Sequence, residues 1–146
     1  LHQDHLTEGM LDYLHDHQIS FVPYFPLASG LLTGKYDHKI DFPADDIRSQ
    51  IADFTEPRFS KVLKAVDVVR PIAKTHQATV AQVVLAWYMQ NPLISVVIPG
   101  AKRAEQVKAN AHALDITLTD AEYRTIEQAF DGFKHTTSGK SLADPE

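Results

Sequence analysis

Cysteine is absent from this sequence of 146 residues. Its absence excludes a disulfide-stapled scaffold and every metal site that depends on thiolate ligands. A chain without cysteine is typical of a reducing compartment, and we therefore expect a cytoplasmic location.

Long basic runs and long apolar runs are also missing. The net charge of −5 argues against a nucleic-acid partner and against binding to an anionic membrane. No apolar stretch approaches the roughly 20 residues that a membrane span requires. The first four residues, LHQD, have neither the basic region nor the apolar core of a signal peptide. The sequence does not begin with methionine, which is consistent with a piece of a longer polypeptide.

Hydrophobic residues make up 44% of the chain, enough to bury the core of one domain. Their periodicity alternates between that of helices and that of strands. Capping boxes at Thr79–Gln82 and Thr119–Glu122 predict the starts of two helices. The predicted elements are helices from Thr7, from Pro57, over 80–89, over 104–113 and from 119 to about 130, and strands over 19–25 and 95–98.

Two segments show no clear period. Residues 37–56 are predicted to be a long loop, and loops of about 20 residues in a compact domain are often functional. The carboxylates Asp45 and Asp46 in this loop are interpreted as solvated. Residues 131–146 are polar and rich in Gly and Ser, so we predict a flexible tail after a structured domain at 1–130.

The alternation of helices and strands predicts an α/β fold with parallel strands and crossover helices. The strand over 95–98 is mostly apolar and is predicted to be fully buried. Two strands cannot close an eight-stranded barrel, which typically needs ~250 residues. Either the partner strands lie in missing sequence, or the chain finds them in a second copy of itself.

The stretch 24–36, YFPLASGLLTGKY, looks at first like a phosphate-binding P-loop. A P-loop has four residues between its first glycine and its Gly-Lys pair, and then Ser or Thr for Mg²⁺. Here Gly30 and Gly34 enclose only three residues, and Tyr36 follows Lys35. The stretch is therefore not a P-loop.

The loops that follow the two predicted strands nevertheless suit an anion. Ligands of parallel α/β proteins bind at the carboxyl ends of strands. The second strand ends directly before a helix N-terminus, which has free N–H groups and a partial positive charge. Lys102 and Arg103 stand there although cations oppose the helix dipole at that end. We therefore prefer a bound anion, with Tyr24 as a neighbouring aromatic, over plain surface cations.

Three stretches carry a family resemblance: residues 24–36, residues 84–88 (VLAWY) and residues 98–107 (IPGAKRAEQV), the last followed by Asn110. In residue type, order and spacing they resemble the aldo-keto reductases, which are (β/α)8 barrels that use NADP(H), and most closely bacterial members of the inositol-operon type. The resemblance implies the C-terminal portion of such a TIM barrel, mostly helical with two parallel-type strands. The chain is then either an incomplete barrel or an oligomer.

In the first loop, the resemblance implies a site for the nicotinamide and the pyrophosphate of the cofactor. Tyr24 resembles the aromatic that stacks on the nicotinamide ring, and Lys35 resembles the lysine that approaches the phosphates. Arg48 is similar to the arginine that closes over the cofactor. The backbone cradle of the pyrophosphate corresponds to Pro26, Leu27, Ala28 and Gly30.

In the second loop, the resemblance implies a site for the adenosine. Gly100 and Lys102 resemble the site of the adenosine 2′-phosphate, and Gln106 and Asn110 resemble the contacts to adenine. Relatives often have Glu directly before this Asn, where the present sequence has Ala109.

The family reduces carbonyl compounds with an Asp, a Tyr, a Lys and a His from the early strands. The resemblance places all four N-terminal to Leu1, so no catalytic residue is assigned. The implied function is the NADP(H)-binding part of an enzyme that reduces aldehydes or ketones in the full-length protein. Two alternatives stay open: a non-catalytic dinucleotide-binding module, and an assembly fragment that forms a homo-oligomer through unpaired strand edges.

Eight histidines raise the question of a metal site. His2 and His5 are three residues apart, and His15 and His17 are two apart, but no third ligand follows at a helical or strand spacing. We interpret these histidines as solvated and predict no metal site.

Overall fold

A computed structural model describes residues 9–37 and 42–133. Most of the described chain is helical. The α-helices are α1 (Met10–Asp16), α2 (Arg58–Thr75), α3 (Val80–Gln90), α4 (Ala104–Ala111) and α5 (Asp120–Phe130). Short 3₁₀ turns connect them at Ala28–Thr33, Ile47–Gln50, Ala52–Phe54, His112–Asp115 and Asp131–Phe133.

Helix α3 is the most apolar element and lies at the centre of the fold. The predicted capping box starts it, because the Thr79 side chain accepts a hydrogen bond from Gln82 N while the Gln82 side chain accepts one from Thr79 N. Five of its eleven residues are buried: Val80, Val83, Val84, Leu85 and Ala86. It packs against α2, against α4 and against the turns Ala28–Thr33 and His112–Asp115.

Helix α2 buries one long stripe, as its apolar period predicts. Phe59, Val62, Val66 and Val69 are all among its buried side chains. This stripe packs on α3 and α5, so that the three helices enclose the main hydrophobic core.

Helix α5 is fastened to the rest of the fold by polar side chains as well as by its apolar face. The predicted capping box of Thr119 and Glu122 starts it. The side chain of Gln90, at the end of α3, donates to Leu118 O (3.0 Å) and accepts from Leu118 N (2.6 Å). His76, at the end of α2, lies 3.0 Å from the Glu122 carboxylate.

The two predicted strands do not form. No strand is present in residues 9–37 and 42–133, because the segments 19–25 and 95–98 share only one backbone hydrogen bond, from Ser95 N to Phe21 O (3.0 Å). A ladder needs a repeated series of such bonds. Val96 and Ile98 are 50% and 65% exposed, so the prediction of a fully buried second strand is wrong. In the described part of the chain, nothing covers their side of the segment.

The C-terminal turn extends the packed structure beyond the predicted domain end. Asp131–Phe133 forms a 3₁₀ turn, and the Phe133 ring is buried. The guanidinium of Arg58 lies 5.3 Å from the centre of this ring and is hydrogen-bonded to the buried Asp53. The rest of the predicted tail, 134–146, lies outside the described residues, as do Thr7 and the loop positions 38–41.

None of the helices in residues 9–37 and 42–133 combines the length and the apolar character that a membrane crossing requires.

The Glu122 carboxylate makes the stability of α5 dependent on pH. The hydrogen bond from Thr119 N, and next to it the contact with His76, lower the pKa of Glu122 below its ordinary value. A carboxyl with a lowered pKa stabilises the folded state above its ordinary pKa and loses that contribution as the pH falls through the folded pKa.

We therefore expect Glu122→Gln to flatten the loss of stability as the pH falls below the ordinary pKa of a Glu carboxyl, while Glu122→Ala lowers the free energy of unfolding at neutral pH by about 1 kcal/mol. Urea denaturation at several pH values measures both effects. Glu105→Gln, in the first turn of α4, is the matched control. An acid limb of unchanged slope in Glu122→Gln contradicts the assignment.

Candidate functional site

The first candidate loop has an unusual backbone at its tight turn. Ala28, Ser29 and Gly30 have φ of 46°, 54° and 91°, all in the left-handed region. A Cβ on Gly30 would lie 2.8 Å from Nζ of Lys35 and 3.0 Å from its Cε. The absence of a side chain at Gly30 therefore lets the Lys35 ammonium rest directly over the turn. The structure thus brings together two of the residues predicted to meet the pyrophosphate.

Tyr36 lies between two cations. Lys35 Nζ is 4.7 Å from the centre of the Tyr36 ring, which is a cation–π distance. Arg48 Nη1 donates a hydrogen bond to Tyr36 Oη at 2.8 Å. The ring itself is buried and packs edge-on against Phe54 at 5.6 Å. The two positive groups are therefore held beside a rigid aromatic, and Lys35 remains exposed to solvent.

Arg48 is fixed by its own loop. Its Nε donates to Asp46 Oδ1 at 2.8 Å, and its Nη2 bonds the other carboxylate oxygen of Asp46. These side-chain bonds hold the pKa of Asp46 at about 2, well below its ordinary value, and raise the pKa of Arg48. The guanidinium also lies 4.6 Å from the centre of the Phe42 ring. The interpretation of Asp46 as a merely solvated carboxylate is therefore wrong, since it orients Arg48.

The remaining predicted residues of this loop differ in exposure. Tyr24 is 67% exposed, and its ring meets that of Phe25 edge-on at 5.5 Å. Pro26 is buried, whereas Leu27 and Ala28 are half-buried and pack against the hydrophobic core. The turn is thus packed on the hydrophobic core through Leu27 and Ala28, while the Tyr24 ring is open to solvent.

The second candidate loop leads into α4 and is exposed. Gly100 and Lys102 both face solvent, and no atom lies within 4 Å of a Cβ added to Gly100. The Gln106 side-chain oxygen accepts hydrogen bonds from Lys102 N (2.8 Å) and Arg103 N (3.1 Å). Gln106 therefore caps α4, a role that we did not predict. Its position three residues after Arg103 has the spacing of a capping box and was the available signal.

Asn110 lies beside an open apolar groove between α3 and α4. The groove has a volume of about 330 Å³. Its lining includes Leu85, Met89, Val97, Pro99 and Val107. Ligand sites are typically apolar with a few polar groups that fix the orientation of the ligand, and this groove with Asn110 has that composition.

Helix α3 links the two loops. A Cβ on Gly34, which follows the turn Ala28–Thr33, would lie 2.9 Å from Cγ2 of Val80. The first loop therefore packs closely against the start of α3. On another side α3 packs on α4, and the Gln82 amide donates to Ala109 O at 2.8 Å. Among the described residues, no hydrogen bond or ion pair joins the two loops directly.

The candidate metal ligands within the described residues do not lie close together. In the described ranges, no three His, Asp or Glu residues are placed to hold an ion. His15 and His17 are exposed, and His17 stacks on Tyr13. His2 and His5 lie outside the described residues.

The two predicted site glycines should respond differently to a side chain. Gly30→Ala forces a non-glycine residue to φ 91° and only displaces the flexible end of Lys35, so we expect a loss of about 1–2 kcal/mol in the free energy of unfolding, mainly from the left-handed backbone. Gly100→Ala meets open space and is the matched control, with little expected change. Chemical denaturation of both variants measures the difference. Equal stability of the two would contradict the left-handed backbone at Gly30.

Comparison with known proteins gives one consistent result. A family model described as "Aldo/keto reductase family" matches residues 2–131. The chain is 33% identical over 141 residues to the aldo-keto reductase str7 of Strobilurus tenacellus, covering 93% of this chain and 42% of that protein. It is 33% identical over 123 residues to the aldo-keto reductase yakc [NADP(+)] of Schizosaccharomyces pombe, covering 84% of this chain and 36% of that protein.

A solved structure gives the same answer for the fold. The glycerol dehydrogenase AKR11B4 of Gluconobacter oxydans superposes with a TM-score of 0.77 at 26% identity. The superposition covers 97% of this chain and 42% of that one. The chain thus spans about two fifths of the length of the proteins that it matches.

Proposed function

The chain belongs to the aldo-keto reductase family and has the fold of part of its barrel, and from this we propose that it binds NADP(H) through the loops 24–36 and 98–110. We further propose that it is the cofactor-binding part of an enzyme that reduces aldehydes or ketones with NADPH. The observation that carries this proposal is the Lys35 ammonium held over the Gly30 turn.

The Gly30 turn fits a pyrophosphate. The absence of a side chain at Gly30 lets the Lys35 ammonium lie against the turn, so that a bound anion would meet a positive charge there. An exposed ammonium supplies the opposite charge, and hydrogen bonds from ionised donors are the stronger ones in proteins. Arg48 bonds the Tyr36 hydroxyl as a second cation, and its bonds to Asp46 keep it in place without removing its positive charge.

The exposed Tyr24 ring supports the nicotinamide end of the proposal. Its open face lies at the entrance to the same loop and offers a surface for stacking. When bound, NADPH supplies the hydride for carbonyl reduction, and a protein group must supply the proton. No residue of this chain is assigned that role, so we propose that the proton donor belongs to another part of the full-length protein.

The second loop supports the adenosine end. The exposed Lys102 ammonium suits a 2′-phosphate, and the open space at Gly100 admits it. The apolar groove beside Asn110 suits the adenine ring. Gln106 acts here by holding the start of α4, since its oxygen is already bonded to the backbone. The name of one relative, yakc [NADP(+)], supports NADP(H) over NAD(H) as the cofactor.

We also propose a cytoplasmic location, because a chain without cysteine is typical of a reducing compartment.

Removal of the Lys102 charge should act on NADPH selectively. A charge-assisted hydrogen bond to the 2′-phosphate contributes roughly 1.5–3 kcal/mol, so Lys102→Met should weaken NADPH binding about 10- to 150-fold and leave NADH binding unchanged. Lys35→Met should weaken both, since both carry the pyrophosphate. Fluorescence titration measures the affinities, and Lys108→Met is the control. Unchanged NADPH emission at high protein concentration would refute cofactor binding by this chain.

A turnover assay distinguishes the cofactor-binding part of an enzyme from a chain that is catalytically complete. We expect no carbonyl-dependent oxidation of NADPH by this chain alone, because the proton-donating residues are assigned to another part of the protein. The measurement is the loss of NADPH absorbance with a range of aldehydes and ketones. Measurable turnover would show that this chain holds a proton donor that we did not identify.

A further inference from the structure

The side chain of Gln82 makes hydrogen bonds to two different elements of the fold. Its oxygen accepts from Thr79 N at 2.8 Å and from Thr79 Oγ1 at 3.0 Å, which completes the capping box at the start of α3. Its amide group donates to Ala109 O at 2.8 Å, in the last turn of α4. A capping box needs only the side-chain oxygen of the Gln or Glu at this position. The amide N–H group of Gln82 therefore serves a second purpose, which is to join α3 to α4.

Helix α4 has few other contacts that hold it in place. None of its residues is buried. It packs on α3 and on the turn His112–Asp115, whose Ala113 is buried. Carbonyl groups in the last turn of a helix lack partners within the helix, and the Gln82 amide supplies one for Ala109. Within residues 9–37 and 42–133, it is the one side-chain hydrogen bond that joins α4 to another helix.

The bond between Gln82 and Ala109 lies beside the apolar groove. Leu85 and Met89 line the groove from α3. They follow Gln82 by three and seven residues, so the three side chains share one face of the helix. Asn110 lines the groove from α4 and directly follows Ala109. The bond therefore sets the distance between the two walls of the groove next to Asn110.

A second glutamine holds the opposite end of α4. Gln106 accepts from the backbone N–H groups of Lys102 and Arg103, beside the proposed site of the 2′-phosphate. Gln82 is bonded to the end of the same helix, beside the proposed site of the adenine ring. Groups that are held in place before a ligand arrives bind it more tightly, because less conformational freedom is lost on binding.

We propose that Gln82 is a positioning residue for the adenosine end of the cofactor site and that it acts through Asn110. The polar atoms of Gln82 are bonded to Thr79 and Ala109, so it affects the ligand through the position of α4. Asn110 is the next residue along the chain and presents its side chain to the groove. This role rests on the proposed function, because it is a role within the adenosine site.

Two substitutions separate the bond to α4 from the capping of α3. In Gln82→Glu the side chain keeps the oxygen that caps α3, as Glu122 does in the equivalent capping box of α5. A carboxylate has no proton to donate, so the bond to Ala109 O is lost. Gln82→Met removes the same bond without adding a negative charge, and it shows whether repulsion between the new carboxylate and the ligand contributes.

Gln90→Glu is the matched control. Gln90 also lies on α3, and its side chain likewise accepts from one backbone N–H group and donates to one carbonyl, both of Leu118. Gln82→Glu and Gln90→Glu therefore add the same charge and remove the same kind of hydrogen bond. Only Gln82 is bonded to α4. Urea denaturation should give a similar loss of stability for both variants.

The measurement is the affinity of the full chain for adenosine 2′,5′-bisphosphate, by isothermal titration calorimetry. This probe carries the adenine and the 2′-phosphate but no nicotinamide. We expect Gln82→Glu and Gln82→Met to weaken binding roughly 3- to 10-fold, which corresponds to one lost hydrogen bond, and Gln90→Glu to change it less than about twofold. Asn110→Ala should itself weaken binding. In that background Gln82→Glu should cost less than about twofold, because residues that act through one another are not additive.

Three results would overturn the role of Gln82 and leave the adenosine site standing. They are unchanged affinity in Gln82→Glu, equal weakening in Gln90→Glu, and full additivity of Gln82→Glu with Asn110→Ala. A wild-type chain that does not bind adenosine 2′,5′-bisphosphate would refute the proposed adenosine site and the role of Gln82 together. The failure of the proposed function is thus distinguished from the failure of this role by the wild-type titration.

Discussion

The burial of α3 is the constraint on which the rest of the structure depends. Because this helix is apolar on nearly all sides, water must be excluded from several directions at once. Each fully buried Val or Leu contributes roughly 1.5–3 kcal/mol, a large share of the net stability of a small domain. Helix α2, the Ala28–Thr33 turn and α4 supply that cover. The two candidate loops are thereby positioned against the same helix, since Gly34 lies against Val80 and the Ala109 carbonyl accepts from Gln82.

Tyr36 connects the hydrophobic core to the charged site. Its ring packs edge-on with Phe42, Phe54 and Phe59, while its hydroxyl accepts from Arg48 and its face receives Lys35. One buried aromatic thus contacts two cations, and Asp46 bonds one of them. The position of the positive charge therefore depends on core packing, because the loop that holds Arg48 has little regular structure of its own.

The helical part and the extended part of the fold differ in how completely they are covered. Helices satisfy their backbone hydrogen bonds internally, so α2, α3 and α5 form with their apolar faces against one another. Extended segments must find their hydrogen-bond partners elsewhere. The chain spans about two fifths of its relatives, and its extended segments expose apolar side chains.

Sequence patterns were sufficient to identify the family and to place the helices, since the capping boxes at Thr79 and Thr119 and the stripe of α2 are local patterns with local causes. The assignment of Gly30 and Lys35 to a cofactor site came from their motif and stays a prediction. The sequence could not show that the strands do not pair, because pairing depends on groups far away along the chain. The sequence did not predict the hydrogen bond from Arg48 to Tyr36 either, because the loop that contains Arg48 shows no hydrophobic periodicity. Both features depend on contacts between residues that are distant in sequence, and residue spacing does not reveal such contacts.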